Sequence, residues 1–283
     1  MVYLFIVSIL WAFSFGLIKN NLTSLDSNLV SSIRMGISFL VFVPFLRIRK
    51  LNKKQIGELF LIGMVQYGVM YITYIYSYQF LKAYEVAFFT IFTPLFVTFF
   101  NDIFTNKFHL LYLISALIAV VGTGLIIYQD ISDSNILFGI LLVQISNISF
   151  AFGQIYYKKV ISTIRVKEWE VFGVLYLGGF FLTALFMLSS TDFSNLNIEL
   201  SQIFILIYLG VVASGVGFFL WNYGTMRTNA GALAVFNNFK IPLAIIVSIL
   251  LFGEEAKILN VVLGTIIVII ALFLNEHFSK KNR

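Results

Sequence analysis

Long apolar runs alternate with short polar stretches along almost the whole chain. About 20 consecutive apolar residues cross a bilayer core as a helix, so each such run predicts one transmembrane helix. The runs are continuous, whereas the strands of a membrane barrel alternate between polar and apolar residues. The pattern therefore predicts an all-α membrane protein with ten transmembrane helices. The predicted spans are residues 2–18, 29–46, 56–80, 84–104, 109–128, 135–157, 169–189, 201–222, 230–252 and 258–275.

The composition supports a chain that lies in lipid. Of 283 residues, 60% are hydrophobic and 11% are charged, and the mean hydropathy is +0.95. Soluble domains are about 45–50% apolar and about 25% charged. No polar stretch is long enough for a soluble domain. The first run has no basic residue before it and no clean cleavage site after it, so we expect a retained span in a multi-pass protein of the cell (inner) membrane.

The basic residues predict the orientation of the chain. Most of the 19 Lys and Arg side chains fall in alternate polar segments, of which 47–55 and 158–168 are the longest. The other set of loops holds Lys19, Lys82 and Lys257. Because cytoplasmic loops are enriched in Lys and Arg, both termini are predicted to be cytoplasmic and the number of spans even. The net charge of +6 sits in these short loops, so it does not indicate nucleic-acid binding.

The two halves of the chain share short motifs. Residues 12–16 (AFSFG) resemble residues 149–153 (SFAFG), and Pro94 resembles Pro242. These matches predict one five-helix repeat in residues 1–130 and a second in 135–276. Because five is odd, the second repeat must enter the membrane with the opposite polarity. Inverted repeats are typical of transporters, whose substrate site lies between the halves near the midplane.

The order of several motifs resembles the EamA type of the drug/metabolite transporter superfamily. The motifs are 11–16 (WAFSFG), Arg34, 208–214 (YLGVVAS), 221–223 (WNY), Pro242, 252–254 (FGE) and 263–264 (LG). The resemblance covers nearly the whole chain and implies a ten-helix inner-membrane carrier of metabolites, often amino acids or their relatives. The chain departs from the pattern at Lys240, where members usually carry an uncharged residue, and this difference bears on the substrate.

Lys240 is the most unusual residue in the predicted spans. It lies about ten residues from either end of the ninth span, and a charge at that depth costs on the order of 2.5–3.5 kcal/mol. Asn237, three residues earlier, shares its helical face. Two interpretations remain open. Lys240 attracts a carboxylate or phosphate of a substrate, or it pairs structurally with a carbonyl or with an acid such as Glu85.

Further polar residues are candidates for lining a substrate cavity. Those on the third, fourth and sixth spans are Tyr67, Tyr71, Tyr74, Tyr78, Thr90, Thr93, Asn147 and Gln154. The tyrosines form a stripe at helical spacing, and the amides of the sixth span share one face. That face is not expected to point at lipid, because an unpaired amide in lipid is costly. Helix packing is the alternative role for both sets. Arg34 is predicted to be structural, either reaching outward or fixing helix packing. Trp221 and Asn222 are predicted to be either a gate or an anchor at the membrane interface, and the anchor is preferred.

The inventory of reactive residues excludes most other functions. There is no cysteine, and His109 and His277 only flank apolar runs, so neither an enzyme nor a metal or other cofactor is predicted. No phosphate-binding loop is present, so coupling to ATP would require another chain. The acids lie in loops or at span ends, which disfavours antiport of cations against protons. We predict a secondary carrier of small metabolites, led by amino acids and other small carboxylates, that works by alternating access as a monomer or homodimer. The alternatives are an exporter of drugs or amphipathic metabolites and a non-transporting receptor or assembly subunit.

Overall fold

The described part of the chain is helical. A computed structural model describes residues 1–124, 134–194, 196–253 and 258–281, and no strand occurs among them. The end of the predicted fifth span at 125–128, the close of the first repeat at 130 and Glu254 of the 252–254 motif lie outside the described residues. The α-helices are α1 to α13 in chain order. Their bounds are Val2–Asn21, Ser27–Phe42, Lys53–Gly63, Met70–Ser77, Ala83–Phe89, Thr93–Thr105, Leu110–Gly124, Ser134–Ile161, Phe172–Ser190, Leu200–Tyr208, Gly217–Met226, Ala230–Phe252 and Ile258–Lys281.

Three pairs of these helices continue into each other through a tighter or wider turn. A π-helical turn at Met64–Val69 joins α3 to α4, and another at Leu209–Val216 joins α10 to α11. A 3₁₀ turn at Thr90–Phe92 joins α5 to α6. Such π-helical turns inside longer helices are frequent at functional sites.

When each pair of joined helices is counted as one span, the described residues contain eight helices that are long and apolar enough to cross a membrane. Shorter apolar stretches occur at Leu110–Val121 in α7 and Val262–Ala271 in α13, where the fifth and tenth spans were predicted. The all-α class and the membrane-spanning character are thus confirmed. The number of ten spans stays a prediction.

Glycines let α3 and α9 approach at backbone distance. A Cβ built on Gly63 would overlap the carbonyl oxygen of Leu175, and one built on Gly178 would overlap that of Phe60. Small residues at helix contacts are how membrane helices pack tightly without a hydrophobic driving force. This contact holds the helix that leads into Tyr67 and Tyr71 against α9.

The two prolines matched by the predicted repeat have different local structures. Pro94 is the second residue of α6, where a missing N–H costs little. Pro242 lies inside α12, where it removes a helical hydrogen bond. Near Pro242, Asn238 Nδ2 donates to the carbonyl of Ile91 in the 3₁₀ turn at 3.1 Å. The α12 segment that includes Lys240 is thereby fixed against the turn between α5 and α6.

Segments that were predicted to share the cytoplasmic side meet at one end of the molecule. Lys50 Nζ lies 2.9 Å from Glu170 Oε1, and the backbone N–H of Arg47 donates to the Glu170 carbonyl. Arg227 Nη1 lies 2.8 Å from Glu168 Oε1, so the segment after α11 joins the same group.

Segments that were predicted to be external meet at the other end of the same helices. Lys19 Nζ donates to the Tyr78 carbonyl at 2.7 Å, and Gln202 Nε2 donates to the Asn21 carbonyl at 2.9 Å. These contacts place the segments named here at two opposite ends, as the distribution of basic residues predicted for them. Which end faces the cytoplasm stays a prediction.

Candidate functional site

A cavity lies between helices from both halves of the chain. The cavity volume is about 60 Å³, which is below the range of about 300–1,000 Å³ usual for small-molecule sites, so a metabolite would bind only after the walls move apart. Its lining combines aromatic rings with a few polar groups. The lining residues are Trp11, Ser14, Phe15, Arg34, Met70, Tyr71, Tyr74, Thr90, Ser146, Asn147, Phe150, Phe218 and Lys240.

Lys240 is a buried cation held by aromatic rings. Its side chain is 7% exposed, and its ammonium lies 5.3 Å from the ring centroid of Trp11 and 5.7 Å from that of Phe150. Cations within about 6 Å of a ring face are attracted by the ring quadrupole. Among the described residues no hydrogen bond or ion pair reaches this ammonium. The carboxylate of Glu85 accepts from the backbone N–H of Lys82 at 2.8 Å, so it caps α5 and does not pair with Lys240.

Arg34 is a second buried cation on the cavity wall. It is 2% exposed, and its guanidinium carbon lies 4.6 Å from the ring centroid of Tyr71. Arg34 Nε donates to Ser214 Oγ at 3.2 Å, and Tyr71 shares a 2.8 Å hydrogen bond with the same hydroxyl. The side chain therefore does not reach outward to the membrane surface. It lies at the contact of α2, α4 and the π-helical turn before α11.

The predicted tyrosine stripe divides into two pairs. Tyr71 and Tyr74 line the cavity. Tyr67 is fully buried beside it and accepts a hydrogen bond from Asn222 at 3.0 Å. Tyr78 lies past the end of α4, and its hydroxyl is 2.6 Å from that of Tyr74.

The predicted threonines and the amide of α8 lie around the 3₁₀ turn. Thr90 and Asn147 line the cavity. Asn147 Nδ2 donates to the carbonyl of Phe89 at 2.9 Å and to Gln144 Oε1 at 3.1 Å. Thr93 is buried, and its hydroxyl donates to the Thr90 carbonyl at 2.7 Å.

Gln154 and Asn237 meet in a buried polar cluster outside the cavity lining. Gln154 Oε1 accepts from the indole N–H of Trp221 at 2.9 Å and from Asn237 Nδ2 at 3.5 Å. Asn237 also donates to the Leu233 carbonyl at 2.9 Å. Trp221 is fully buried, so its predicted role as an interfacial anchor is wrong.

Several lining residues were not predicted as site residues. They are Trp11, Ser14, Phe15, Arg34, Met70, Ser146, Phe150 and Phe218. Trp11, Ser14 and Phe15 lie in or beside the first repeated motif, and Phe150 lies in the second. The repetition of the AFSFG and SFAFG motifs on α1 and α8 was therefore the available signal that both helices face the cavity.

Comparisons with known proteins agree on one family. The model of the EamA-like transporter family matches residues 1–128 and 137–276. The chain is 37% identical to a biotin transporter of Salmonella typhimurium (98% of this chain, 93% of the relative) and 35% identical to one of Escherichia coli K12 over the same shares. It is 32% identical to a probable biotin transporter of Pseudomonas aeruginosa (97% and 96%).

A solved crystal structure shares the fold alone. It has a TM-score of 0.77 at 14% identity and covers 99% of this chain and 98% of its own. The match of the family model over nearly the whole chain confirms the resemblance, and with it a transporter rather than an enzyme. The chain belongs to the EamA-like transporter family and is a multi-pass membrane transporter.

Proposed function

We propose that this protein moves biotin across the membrane and that Lys240 holds the biotin carboxylate. The observation that supports this most is a buried ammonium without a hydrogen-bond or ion-pair partner among the described residues, in a cavity walled by aromatic rings. Relatives at 32–37% identity are named as biotin transporters. Biotin is a small carboxylate, so the predicted anion anchor fits it. Amino acids, the leading class predicted from the sequence, have no support from these relatives.

The chemistry of the cavity suits a molecule with a charged end and an apolar body. Biotin has a carboxylate on a four-methylene chain, a sulfur-containing ring and a ureido group. The chain and ring would pack on Trp11, Phe150 and Phe218, whose centroids lie 5.1–5.9 Å apart. Thr90 and Asn147 would border the polar groups. A carboxylate on Lys240 would also remove the cost of an isolated buried charge.

Transport would follow from rocking of two five-helix halves about this cavity. The family model matches two stretches of similar length, which supports two repeats. Both stretches contribute to the lining, with Trp11 and Tyr71 from the first and Phe150 and Lys240 from the second. A relative movement of the halves would therefore open or close the lining itself.

Uptake of labelled biotin into proteoliposomes tests the role of Lys240. Lys240→Met should lower biotin uptake at least about tenfold, since it removes the charge and keeps a similar volume. Lys240→Arg should restore part of it. Biotin methyl ester has no carboxylate. It should therefore inhibit the uptake of labelled biotin poorly, and to the same extent, in the wild type and in Lys240→Met.

Lys159 offers a matched control. Its ammonium also lies over an aromatic ring, 5.2 Å from the centroid of Phe104, but the side chain is exposed and does not line the cavity. Lys159→Met should keep biotin uptake. Equal uptake by Lys240→Met and Lys159→Met would overturn the anchor, and saturable biotin binding without flux would indicate a receptor instead of a carrier.

A further inference from the structure

Arg34 has donor capacity that the protein leaves unused. Its guanidinium makes one described hydrogen bond, from Nε to Ser214 Oγ. Nη1 is buried and has no hydrogen-bond partner among the described residues. A buried arginine that only fixed helix packing would be expected to have its donors paired, because an unpaired buried donor costs about 1–3 kcal/mol.

An aromatic wall connects Arg34 to Lys240. Lys240 lies over Trp11, whose ring centroid is 5.1 Å from that of Phe218. Phe218 is 5.7 Å from Tyr71, over which Arg34 lies. The cavity thus has a cation at each end of a row of three rings.

The charge of the cavity is not balanced by the protein. Arg34 and Lys240 both line it, and no carboxylate does so in the described part of the chain. Two cations in one low-dielectric cavity repel each other and each loses hydration. A ligand with acceptor groups at both ends of an apolar body would compensate both cations at once.

We propose that Arg34 is a second substrate-binding group, which donates to a carbonyl-type acceptor at the end of the substrate remote from the carboxylate. A guanidinium presents several N–H donors in a fixed plane, which suits the oxygen of a ureido or amide group. The substrate class is then a carboxylate joined by an apolar body to such an acceptor. This inference rests on the proposed function, in which Lys240 holds the carboxylate.

Three carboxylates distinguish the two ends of the ligand. Biotin and desthiobiotin both have the ureido group, whereas lipoate has a similar pentanoate chain on a dithiolane ring without one. Inhibition constants against labelled biotin are measured in proteoliposomes for the wild type, Arg34→Met, Arg34→Lys and Lys240→Met. The wild type should prefer biotin and desthiobiotin over lipoate.

Arg34→Met should reduce that preference roughly tenfold to hundredfold, the worth of a hydrogen bond from a charged donor. Its inhibition constant for lipoate should stay near that of the wild type, which also reports that the variant is folded. The preference of Arg34→Lys for biotin over lipoate should lie between those of the wild type and Arg34→Met. Lys240→Met should weaken all three ligands by similar factors.

The outcomes separate this inference from the proposed function. If Arg34→Met weakens the binding of biotin and lipoate equally, or changes neither, Arg34 does not bind the second acceptor. The inference is then overturned, while biotin transport stands. If the wild type discriminates among the three ligands no better than twofold, the inference also fails. If the wild type binds none of them, the proposed function is overturned and the inference with it.

Discussion

Gln66 and Asn222 hydrogen-bond to each other twice. Gln66 Nε2 donates to Asn222 Oδ1 at 3.0 Å, and Asn222 Nδ2 donates to Gln66 Oε1 at 3.3 Å. Asn222 Nδ2 also donates to the hydroxyl of Tyr67 at 3.0 Å, and all three side chains are fully buried. The pair connects the π-helical turn before α4 with α11, and these two elements belong to different predicted repeats. It is therefore a polar contact that a rocking movement of the halves would have to break or carry along.

A double-mutant cycle at this pair should show strong coupling. Asn222→Leu leaves the Gln66 amide without its partner in a buried site, which should lower the unfolding free energy by about 1–3 kcal/mol. Gln66→Met should have a similar effect. The double variant should lose clearly less than the sum of the two, because the second substitution removes a group that is already unsatisfied. Thermal unfolding in detergent measures all four proteins, and additive losses would contradict a direct pair.

The helical spacing of the tyrosines predicted part of the cavity and failed at both ends for local reasons. Tyr71 and Tyr74 lie in regular α-helix and line the cavity as the stripe suggests. Tyr67 lies in the π-helical turn, where the wider turn shifts the phase that an α-helix would give. Tyr78 follows the last residue of α4, so the helix no longer sets its direction. A single sequence shows neither the π-helical turn nor the helix end.

Arg34, Trp221 and Lys240 show what depth in a span can and cannot predict. Lys240 is far from both ends of its span, so burial followed from the sequence alone. Arg34 and Trp221 lie near span ends, where outward reach and interfacial anchoring are usual. Their actual partners, Ser214 and Gln154, are distant in sequence. Such contacts depend on how the helices pack, which hydrophobic runs do not encode.

Substitutions of two glycines, one in α9 and one in α3, should change the stability of the protein in opposite directions. Gly178→Ala places a methyl group against the Phe60 carbonyl, so α3 and α9 must separate, at a cost of roughly 1–3 kcal/mol. Gly57→Ala, in α3, meets nothing within 4 Å and should stabilise the helix by up to about 1 kcal/mol. Thermal unfolding of the two variants beside the wild type checks both signs. Equal stability of all three proteins would mean that α3 and α9 are not in backbone contact.

Two glutamates in one loop should give opposite pH dependences. Burial raises the pKa of Glu168, with the neighbouring Arg227 opposing that effect, whereas the hydrogen bond from Lys50 is the main cause that lowers the pKa of Glu170. The folded protein therefore holds a proton on Glu168 more tightly than the unfolded chain, whose glutamates titrate near pH ~4.3. Stability from this group is present below pH ~4.3 and is lost as the pH rises through the raised value. Glu170 contributes stability above pH ~4.3 that is lost as the pH falls through its lowered value.

Melting temperatures measured between about pH 3.5 and pH 7 separate the two glutamates. Relative to the wild type, Glu168→Gln should gain stability as the pH rises. Glu170→Gln should be less stable above pH ~4.3, and this difference should vanish as the pH falls. Curves that run parallel to the wild type for both variants would show that neither side chain changes its proton affinity on folding.

Cysteine labelling can decide the predicted orientation, because the chain has no cysteine of its own. Lys54→Cys and Arg165→Cys lie in exposed segments predicted to be cytoplasmic, whereas Lys82→Cys and Ser194→Cys lie in exposed segments predicted to be external. A membrane-impermeant maleimide added to intact cells should label only the cysteines at 82 and 194, and permeabilised cells should show all four. Labelling at 54 and 165 alone would reverse the orientation and keep the two-half architecture. Labelling of 54 without 165 would place the 47–55 and 158–168 segments on opposite sides, which five spans per half do not allow, and the contact between Lys50 and Glu170 would then be wrong as well.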